Sequence, residues 1–498
     1  MNTNALQKIK PQQWIALFIF THIYVWTLTP FFIRYTLPMD AIEGFIWGHQ
    51  FEWGYDKNPF LNGWLTGIAA HLSGYSDWLI YFCSQLSVGI CFWAVWKLAR
   101  QMISPMYAVI SVLLLESIQY YNLHAIDFND NTLELALWAV TTLFFYQALR
   151  QPLTRNWIWL GILAGLGMMT KYYTALLLLS MMLFILIPAM NRYHLKRQHF
   201  YWGMLAFIIV ITPHVIWLCF HNFITVQYAL MRVQNLQSIQ KPFFYTLLFT
   251  RQQFIVLIPF FILLVSLFVG KKSTPPIKRF HLDTFDNLFL LYVGLGPFLI
   301  TLLLSAITGM RLRAGWGEPL FSLWGIIFIV WLQPYITQRR FLRFILIIFG
   351  LLFALAISYS IALIRAEKPS SANFPGKNIA MTLTREWINQ YHTPLRYVAG
   401  SRWVAGNISF YSTNHPQVYI NWDNQVSPWI DEEQIRKKGA IFTWDTTEDN
   451  QKSTDEIKKR FPRMGALKTF QFDWMRNKKM DPIRITVSFL PPENTAAS

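Results

Sequence analysis

Long apolar runs separated by short polar stretches fill the chain up to about residue 365. A helix needs about 20 mostly apolar residues to cross the hydrocarbon core of a bilayer, and by that criterion the pattern predicts about eleven transmembrane helices. No small-residue cleavage site follows the first run, so it is expected to be a retained span rather than a signal peptide. The predicted spans are 14–33, 79–96, 104–122, 132–149, 157–170, 173–190, 201–219, 246–269, 287–307, 317–334 and 341–364.

Basic residues between the runs predict the orientation. If the spans alternate, the basic clusters fall on one side, and the excess of Lys and Arg in cytoplasmic loops makes that side the cytoplasm. The N-terminus is then cytoplasmic, and the loops at 34–78, 122–131, 220–245 and 311–318 share the outer side with the tail from 366. The clusters are Lys8/Lys10, Lys97/Arg100, Arg150/Arg155, Arg192/Lys196/Arg197, Lys271/Lys272/Lys278/Arg279 and Arg339/Arg340/Arg343.

The tail has a different composition, with Asn, Asp, Lys and Thr in place of the apolar runs. A helical pattern at "LTREWINQY" precedes short β-rich runs, which predict a small α/β domain outside the membrane. The chain therefore divides into a membrane domain, 1–365, and a soluble outer domain, 366–498. The predicted strands are "RYVAG", "ISFYS", "QVYIN", "AIFTW", "KTFQF" and "IRITVSF".

Composition excludes several classes of protein. The 498 residues are 54% hydrophobic and only 14% charged, whereas soluble chains are about a quarter charged. The net charge of +17 could indicate nucleic-acid binding, but the cations lie between apolar runs as a membrane protein requires. The three cysteines lie in or beside apolar runs without a CxxC motif, which argues against a disulfide scaffold or a zinc ribbon.

The first outer loop, "PMDAIEGFIWGHQFEWGYDKNPFLNGWL" at 38–65, concentrates charge beside the first span. Charge next to hydrocarbon is costly, so it suggests a purpose. A helix over 40–53 would place Asp40 and Glu43 on one polar face and would lie at the membrane surface. The simpler interpretation is that Asp40 caps the helix and both acids are merely solvated.

The segment "WGYDKNPF" is expected to end that helix at Gly54. It would hold Asp56 and Lys57 in extended backbone ahead of Pro59. Lys57 would then present a fixed ammonium at the depth of the lipid phosphates. Alternatively, Lys57 only extends its charge toward the lipid headgroups.

These residues resemble a family. An Asp followed by a Glu three residues later, then an aromatic-rich loop with Asp/Glu-Lys-x-Pro, looks like the GT-C glycosyltransferases that use polyprenyl-phosphate sugars. The pattern is similar to their bacterial protein-mannosyltransferase-like branch, which includes aminoarabinose, galacturonic acid and hexosamine transferases acting on lipid A or lipopolysaccharide core. "YDKNPF" matches an "EKPPL"-type motif and departs from it at Asn58, where a Pro is usual.

The resemblance implies a polytopic GT-C fold and a set of acidic residues. Asp40 is expected to act as the general base. Glu43 would position the acceptor or, with Asp40, hold a divalent cation, the only cofactor considered. In the second loop, "HAIDFNDNTLEL", Asp127 and Asp130 are expected to face the same cavity. Alternatively, Asn131 or Thr132 caps the helix that follows and Asp130 favours its positive end, which accounts for only one of these acids.

The resemblance also implies cations for the donor phosphate and further substrate contacts. The phosphate contacts are expected from Lys57, Lys171, Arg311 and Arg313, since Arg and Lys bind phosphate well. A cation that ends a span, or an interfacial Arg anchor, is the alternative for the last three. The expected substrate contacts are Asp56, Trp47 and Tyr55.

The function expected is transfer of a sugar from a polyprenyl-phosphate donor to lipid A, lipopolysaccharide core or another periplasmic acceptor, at the bacterial inner membrane. A single displacement would invert the anomeric carbon. Protein O-mannosylation, a lipid or sugar transporter and a non-catalytic assembly partner remain the alternatives. Polar residues gather at one face rather than at the midplane, which favours catalysis over transport. The sequence leaves the sugar and the oligomeric state open.

Overall fold

The apolar runs form long helices. A computed structural model describes residues 9–187, 198–234, 242–268, 282–445, 451–476 and 480–493. The helices of the membrane part are α1 (Pro11–Ile33), α2 (Met39–Gly48), α3 (Leu61–Leu72), α4 (Asp77–Met102), α5 (Pro105–Leu113), α6 (Asp130–Arg150), α7 (Thr154–Thr170), α8 (Thr174–Leu186), α9 (Gln198–Phe220), α10 (Ile224–Gln234), α11 (Pro242–Ser266), α12 (Thr284–Phe289), α13 (Gly296–Thr308), α14 (Trp324–Leu332) and α15 (Gln338–Ile364).

In the described residues, seven helical segments are long and apolar enough to cross a membrane. They are α1, α4, α6, α9, α11, the joined α12 and α13, and α15. The short helix Ala314–Phe321 and α14 form a bent pair, which would make an eighth span. The prediction of a polytopic α-helical membrane protein with a small C-terminal α/β region is confirmed.

The eleven predicted spans correspond to helices of unequal length. Three of them are short: α5 has 9 residues, α7 has 17 and α8 has 13. After α5 the chain continues in 3₁₀ turns that carry Glu116, Gln119 and other polar residues. These turns bring Glu116 to within 2.8 Å of His22 in α1. The expected span at 104–122 is therefore broken by a polar contact inside the membrane part.

Two contacts at helix ends involve or adjoin predicted basic residues. Arg150, at the end of α6, pairs with Asp283 and Asp286 at 2.6 Å each. The Tyr107 hydroxyl donates to the carbonyl of Pro334 at 2.9 Å, which joins the start of α5 to the segment before α15. Two predicted basic clusters, at 192–197 and 271–279, lie outside the described residues.

The part after α15 contains a five-stranded sheet with the order β2-β1-β3-β5-β4. β1 is parallel to β2 and β3, and β5 is antiparallel to β3 and β4. The elements are α16 (Gly376–Tyr391), β1 (Tyr397–Gly400), α17 (Arg402–Tyr411), β2 (Gln417–Ile420), α18 (Glu432–Lys438), β3 (Ala440–Asp445), α19 (Gln451–Arg460), β4 (Lys468–Phe472) and β5 (Ile483–Leu490).

One predicted strand, "ISFYS", is wrong, because these residues belong to α17 or end it. The hydroxyl of Ser401 caps this helix by accepting from the amide of Val404 at 3.2 Å. Parallel strands such as β1 and β2 also require a crossover connection, which is usually a helix. The alternating pattern of "ISFYS" reflects a helix that is buried on several sides.

The first outer loop packs against the sheet region. Helix α2 is buried from Ala41 to Gly48, including the polar Glu43. It lies against α17, where a Cβ on Gly406 would approach Ile42 Cγ2 to 2.5 Å. The predicted surface helix over 40–53 is therefore shorter and more buried than expected. The helix ends at Gly48 and is followed by turn residues, so Gly54 does not end it.

The segment after α2 forms a closed turn. Gly54 and Pro59 form an isolated antiparallel bridge, and the amide of Tyr55 donates to the carbonyl of Asn58 at 3.0 Å. Asp56 and Lys57 therefore lie on a tight loop, and the prediction of extended backbone is wrong. The turn holds both side chains close to α2.

Candidate active site

A cavity of about 440 Å³ opens where the outer loops meet. Its wall combines carboxylates, cations, amides and aromatic rings from five separate parts of the chain. Lining residues are Asp40, Glu43, Trp47, Lys57, Asn58, Pro59, Asn62, Asn129, Asp130, Asn131, Lys171, Tyr172, Tyr173, Leu176, Tyr228, Ala229, Thr301, Leu304, Met310, Leu312, Arg313, Gly315 and Trp316.

The first loop supplies an ion-pair network on one side of the cavity. Lys57 Nζ lies 2.6 Å from Glu43 Oε1, and Arg402 Nη1 lies 2.8 Å from the same oxygen without hydrogen-bond alignment. Arg402 Nη2 donates a hydrogen bond to Asp56 Oδ2. One arginine from the sheet region therefore joins α2 to the loop that carries Lys57.

Aromatic rings support this network. The ring of Trp47 stacks on Tyr55 with centroids 5.3 Å apart, and the Arg402 guanidinium lies 5.9 Å from the Trp47 ring. Trp47 lines the cavity, whereas Tyr55 and Asp56 are buried behind it. Of the three predicted substrate contacts, only Trp47 faces the space that a substrate would occupy.

Asp40 faces the cavity from the first turn of α2. Its Oδ2 accepts a hydrogen bond from the Asn129 amide at 3.1 Å. Solvent reaches this side chain through the cavity, but the surrounding protein still raises the pKa of Asp40 by desolvation. The negative charges of Glu43 and Asp130 raise it further, while Asn129 and Lys57 lower it. Asp40 is therefore a carboxylate with increased basicity.

Asp127, predicted to be catalytic, is not among the residues that line the cavity. Its Oδ1 accepts a hydrogen bond from the backbone amide of Ala41 at 3.0 Å, so it caps the N-terminus of α2. Desolvation raises the pKa of Asp127 well above its usual range, and the charge of Asp40 adds to this. The capping role considered for Asp40 therefore belongs to Asp127.

The opposite wall centres on Lys171, in the short link between α7 and α8. Lys171 Nζ lies 3.2 Å from Asp130 Oδ2 and donates to the Asn131 side chain. It also lies 5.8 Å from the ring of Trp316. Burial works against the charged form, but Asp130 and the buried Glu134 outweigh it and raise the pKa of Lys171. This lysine is a cation throughout the physiological pH range.

The two predicted arginines separate. Arg313 lines the cavity, and Arg311 is exposed without lining it. Leu312, the residue between them, is buried and also lines the cavity. The proposed phosphate contacts therefore reduce to Lys57, Lys171 and Arg313.

Sequence reasoning missed several groups at the site. Asn129 is the N-cap of α6, where Asn131 or Thr132 was expected, and it also binds Asp40. The repeated amides in "NDN" were the available signal. Arg402 has no comparable local signal, since only the packing of α17 on α2 brings it to Glu43.

The residues considered for a divalent cation have other partners. Asp40 binds Asn129, and Glu43 pairs with Lys57 and Arg402. Within the described ranges, no group of three or more His, Cys, Asp or Glu side chains is arranged to hold a metal ion. This donor set does not fit a cation bound by the protein alone, and no step is derived through one.

The sequence is similar to known proteins over part of its length. A family model described as dolichyl-phosphate-mannose-protein mannosyltransferase matches residues 57–217. The lipopolysaccharide core galacturonosyltransferase RgtA of Rhizobium johnstonii is 24% identical over 193 residues, which cover 37% of this chain and 38% of RgtA. The chain therefore aligns with well under half of that relative's length.

Solved structures extend the comparison to nearly the whole chain. The crystal structure of ArnT from Cupriavidus metallidurans bound to undecaprenyl phosphate superposes with a TM-score of 0.63 at 14% identity, covering 96% of this chain and 98% of ArnT. The apo state of the same protein gives a TM-score of 0.49 at 13% identity, with the same coverage. At this identity the likeness shows the fold.

The structure is that of a multi-pass membrane protein with a fold like that of ArnT. The resemblance predicted from the first loop is confirmed, since the chain is similar to this mannosyltransferase family and to RgtA over part of its length.

Proposed function

We propose that this protein transfers a sugar from a polyprenyl-phosphate donor to an acceptor hydroxyl at the outer face of the bacterial inner membrane. The supporting observation is one cavity that holds Asp40 together with Lys57, Lys171 and Arg313. A lipid-linked donor has an anionic head that needs fixed cations, and the acceptor needs a base. Basic residues at the opposite end of the helices support a cytoplasmic N-terminus and an outer tail.

In this mechanism Lys57, Lys171 and Arg313 hold the donor phosphate and stabilise the negative charge that develops on it as it leaves. Asp40 accepts the proton of the acceptor hydroxyl. The hydroxyl oxygen then bonds to the anomeric carbon as the bond from that carbon to the phosphate oxygen breaks. The product is an inverted glycoside, and the polyprenyl phosphate departs as the anion.

The raised pKa of Asp40 suits this role. A general base is most effective when its pKa lies near the working pH. Desolvation and then the charges of Glu43 and Asp130 move the pKa of Asp40 in that direction. Asn129 fixes the orientation of the carboxylate and leaves its other oxygen for the acceptor.

Lipopolysaccharide is the favoured acceptor, because RgtA is named as a lipopolysaccharide core galacturonosyltransferase. The undecaprenyl phosphate bound to ArnT supports a polyprenyl-phosphate donor. The family description names a protein mannosyltransferase, so a polypeptide acceptor is the second candidate. Mass spectrometry of lipid A, core oligosaccharide and periplasmic proteins from a deletion strain separates the two, since only the true acceptor loses a sugar mass.

The test is Asp40→Asn in the purified full-length protein, assayed with a panel of polyprenyl-phosphate sugars. We expect transfer to fall by about 10²- to 10⁴-fold, because the amide cannot accept the proton. Binding of undecaprenyl phosphate should remain. The matched control is Asp473→Asn, an exposed acid of the sheet region, which should keep full activity. Full activity of the Asp40→Asn protein would contradict the assignment.

A further inference from the structure

Arg402 reaches the candidate site from the sheet region, although it does not line the cavity. It is the first residue of α17, next to the capping Ser401. Its side chain is 17% exposed, and its guanidinium lies between Glu43 Oε1 and Asp56 Oδ2. Arg402 thus lies directly behind the cavity wall formed by Glu43 and Lys57.

The position of this arginine is unfavourable for the helix itself. The N-terminus of a helix carries a partial positive charge, so a cation in its first turn is repelled. The carboxylates of Glu43 and Asp56 compensate for that repulsion. This arginine lies against the helix dipole, and its salt bridges in the described residues are with Glu43 and Asp56 of the first loop. Its position is therefore better explained by the loop than by α17.

Glu43 is shared between two cations. Its Oε1 lies 2.6 Å from Lys57 Nζ and 2.8 Å from Arg402 Nη1. A donor phosphate that binds Lys57 would be repelled by this carboxylate and would have to replace it as the partner of Lys57. A buried carboxylate without a partner is strongly disfavoured, so the exchange requires another cation for Glu43.

We propose that Arg402 is a positioning residue that retains Glu43 when the donor phosphate takes Lys57. This inference rests on the function proposed above. Arg402 also holds Asp56, whose Oδ1 is buried and has no hydrogen-bond partner in the described residues. It thereby fixes the loop from which Lys57 enters the cavity. The sheet region thus supports donor binding without touching the donor.

The experiment measures binding of undecaprenyl phosphate, which has the phosphate but no sugar, to the full-length protein in detergent. Arg402→Gln should weaken binding by about tenfold, because Glu43 then pairs only with Lys57 and opposes the phosphate. Adding Glu43→Gln to this variant removes the competing charge and should restore binding to within about threefold of the unmodified protein. A residue that only docks the sheet region would give no such rescue.

Three further variants act as controls. Arg436→Gln alters a half-buried arginine of the same region, paired with Glu432, and should leave binding unchanged. Arg402→Lys keeps a cation and secures folding, but one ammonium cannot reach both acids. It should weaken binding less than Arg402→Gln and should also be rescued by Glu43→Gln. Lys57→Met should lose binding regardless of residue 402.

The outcomes separate the two proposals. If Arg402→Gln and Arg402→Lys bind as tightly as the unmodified protein, or if Glu43→Gln rescues neither, the role of Arg402 is overturned. The proposed function stands in that case, provided Lys57→Met still loses binding. If the unmodified protein does not bind undecaprenyl phosphate, the proposed function fails and the role of Arg402 fails with it.

Discussion

Two buried acid–base clusters join distant parts of this chain. In the membrane part, His22 Nδ1 lies 2.8 Å from Glu116 Oε2, and both side chains are fully buried. At the outer end, Glu43 pairs with Lys57 and Arg402, and Lys57 keeps 26% of its side chain exposed. The two clusters have similar distances, but the cavity of the candidate site is lined by Glu43 and Lys57 and not by His22 or Glu116.

The surroundings explain the difference. The His22 ring packs against Phe92 at 5.2 Å between centroids, and Trp26 donates to Glu116 Oε1 at 3.4 Å. Rings and a hydrogen-bond donor thus fill the space around this pair. The outer cluster instead borders open volume lined by Asp40 and Lys57. A hydrogen-bonded pair enclosed by packing contributes to structure, whereas an ion pair beside open volume can exchange partners with a ligand.

The largest effect should come from breaking the contact between His22 and Glu116, which we call the enclosed pair. Glu116→Ala leaves His22 Nδ1 and Trp26 Nε1 without this acceptor inside the membrane part, and breaking a buried pair costs about 3–5 kcal/mol of unfolding free energy. The purified protein should show a lower thermal midpoint. Its transfer rate per folded molecule should be unchanged, because Glu116 does not line the cavity.

Glu116→Gln is the matched control, since it keeps the shape and hydrogen-bonding capacity but removes the charge. Its thermal midpoint should lie between those of Glu116→Ala and the unmodified protein. A loss of activity in folded Glu116→Ala protein would show that the enclosed pair also acts on the reaction. The comparison between the two clusters would then break down.

A smaller effect should follow from removing Lys57, the cation of the outer cluster that borders the cavity. Lys57→Met should raise the KM for the lipid-phosphate donor by about 10- to 100-fold, because it removes a charge-assisted hydrogen bond to the phosphate. The thermal midpoint should change little, since Glu43 retains Arg402. Lys368→Met alters an exposed lysine and should change neither quantity. An unchanged donor KM in Lys57→Met would remove this lysine from the phosphate site.

The sequence predicted those features that depend on local pattern. Apolar runs predicted the long helices, and the charges of Asp40, Glu43 and Lys57, close together in sequence, predicted a site in the first loop. Features that depend on packing were missed. Arg402 reaches Glu43 only because α17 lies on α2, and the shortening of the span at 104–122 follows from the contact between Glu116 and α1.

Side-chain direction and capping account for the remaining differences at the site. Arg311 and Arg313 look equivalent in sequence, but only one of two residues on either side of a buried Leu312 faces the cavity. Asp127 looks like a second catalytic acid, but its carboxylate caps α2 from another loop. Both distinctions require the direction of a side chain, which composition and spacing do not specify.

The smallest expected effect is a shift in pH dependence, measured as kcat/KM for Glu43→Gln. Transfer should decline as the pH falls through the pKa of Asp40, because the base becomes protonated. Desolvation and then the charge of Glu43 raise that pKa, whereas Lys57 lowers it. Glu43→Gln removes a raising charge and frees Lys57, so both changes lower the pKa of Asp40. The acidic limb of the profile should therefore move to lower pH.

Glu116→Gln is the control for this shift, because it removes a carboxylate from the enclosed pair without altering the surroundings of Asp40. Its profile should coincide with that of the unmodified protein. An acidic limb that stays in place in Glu43→Gln, or moves to higher pH, would mean that a group other than Asp40 limits the reaction. If the profile shifts to lower pH in Glu43→Gln but not in Glu116→Gln, the outer cluster of Glu43, Lys57 and Arg402 changes the pKa of Asp40 and the enclosed pair does not.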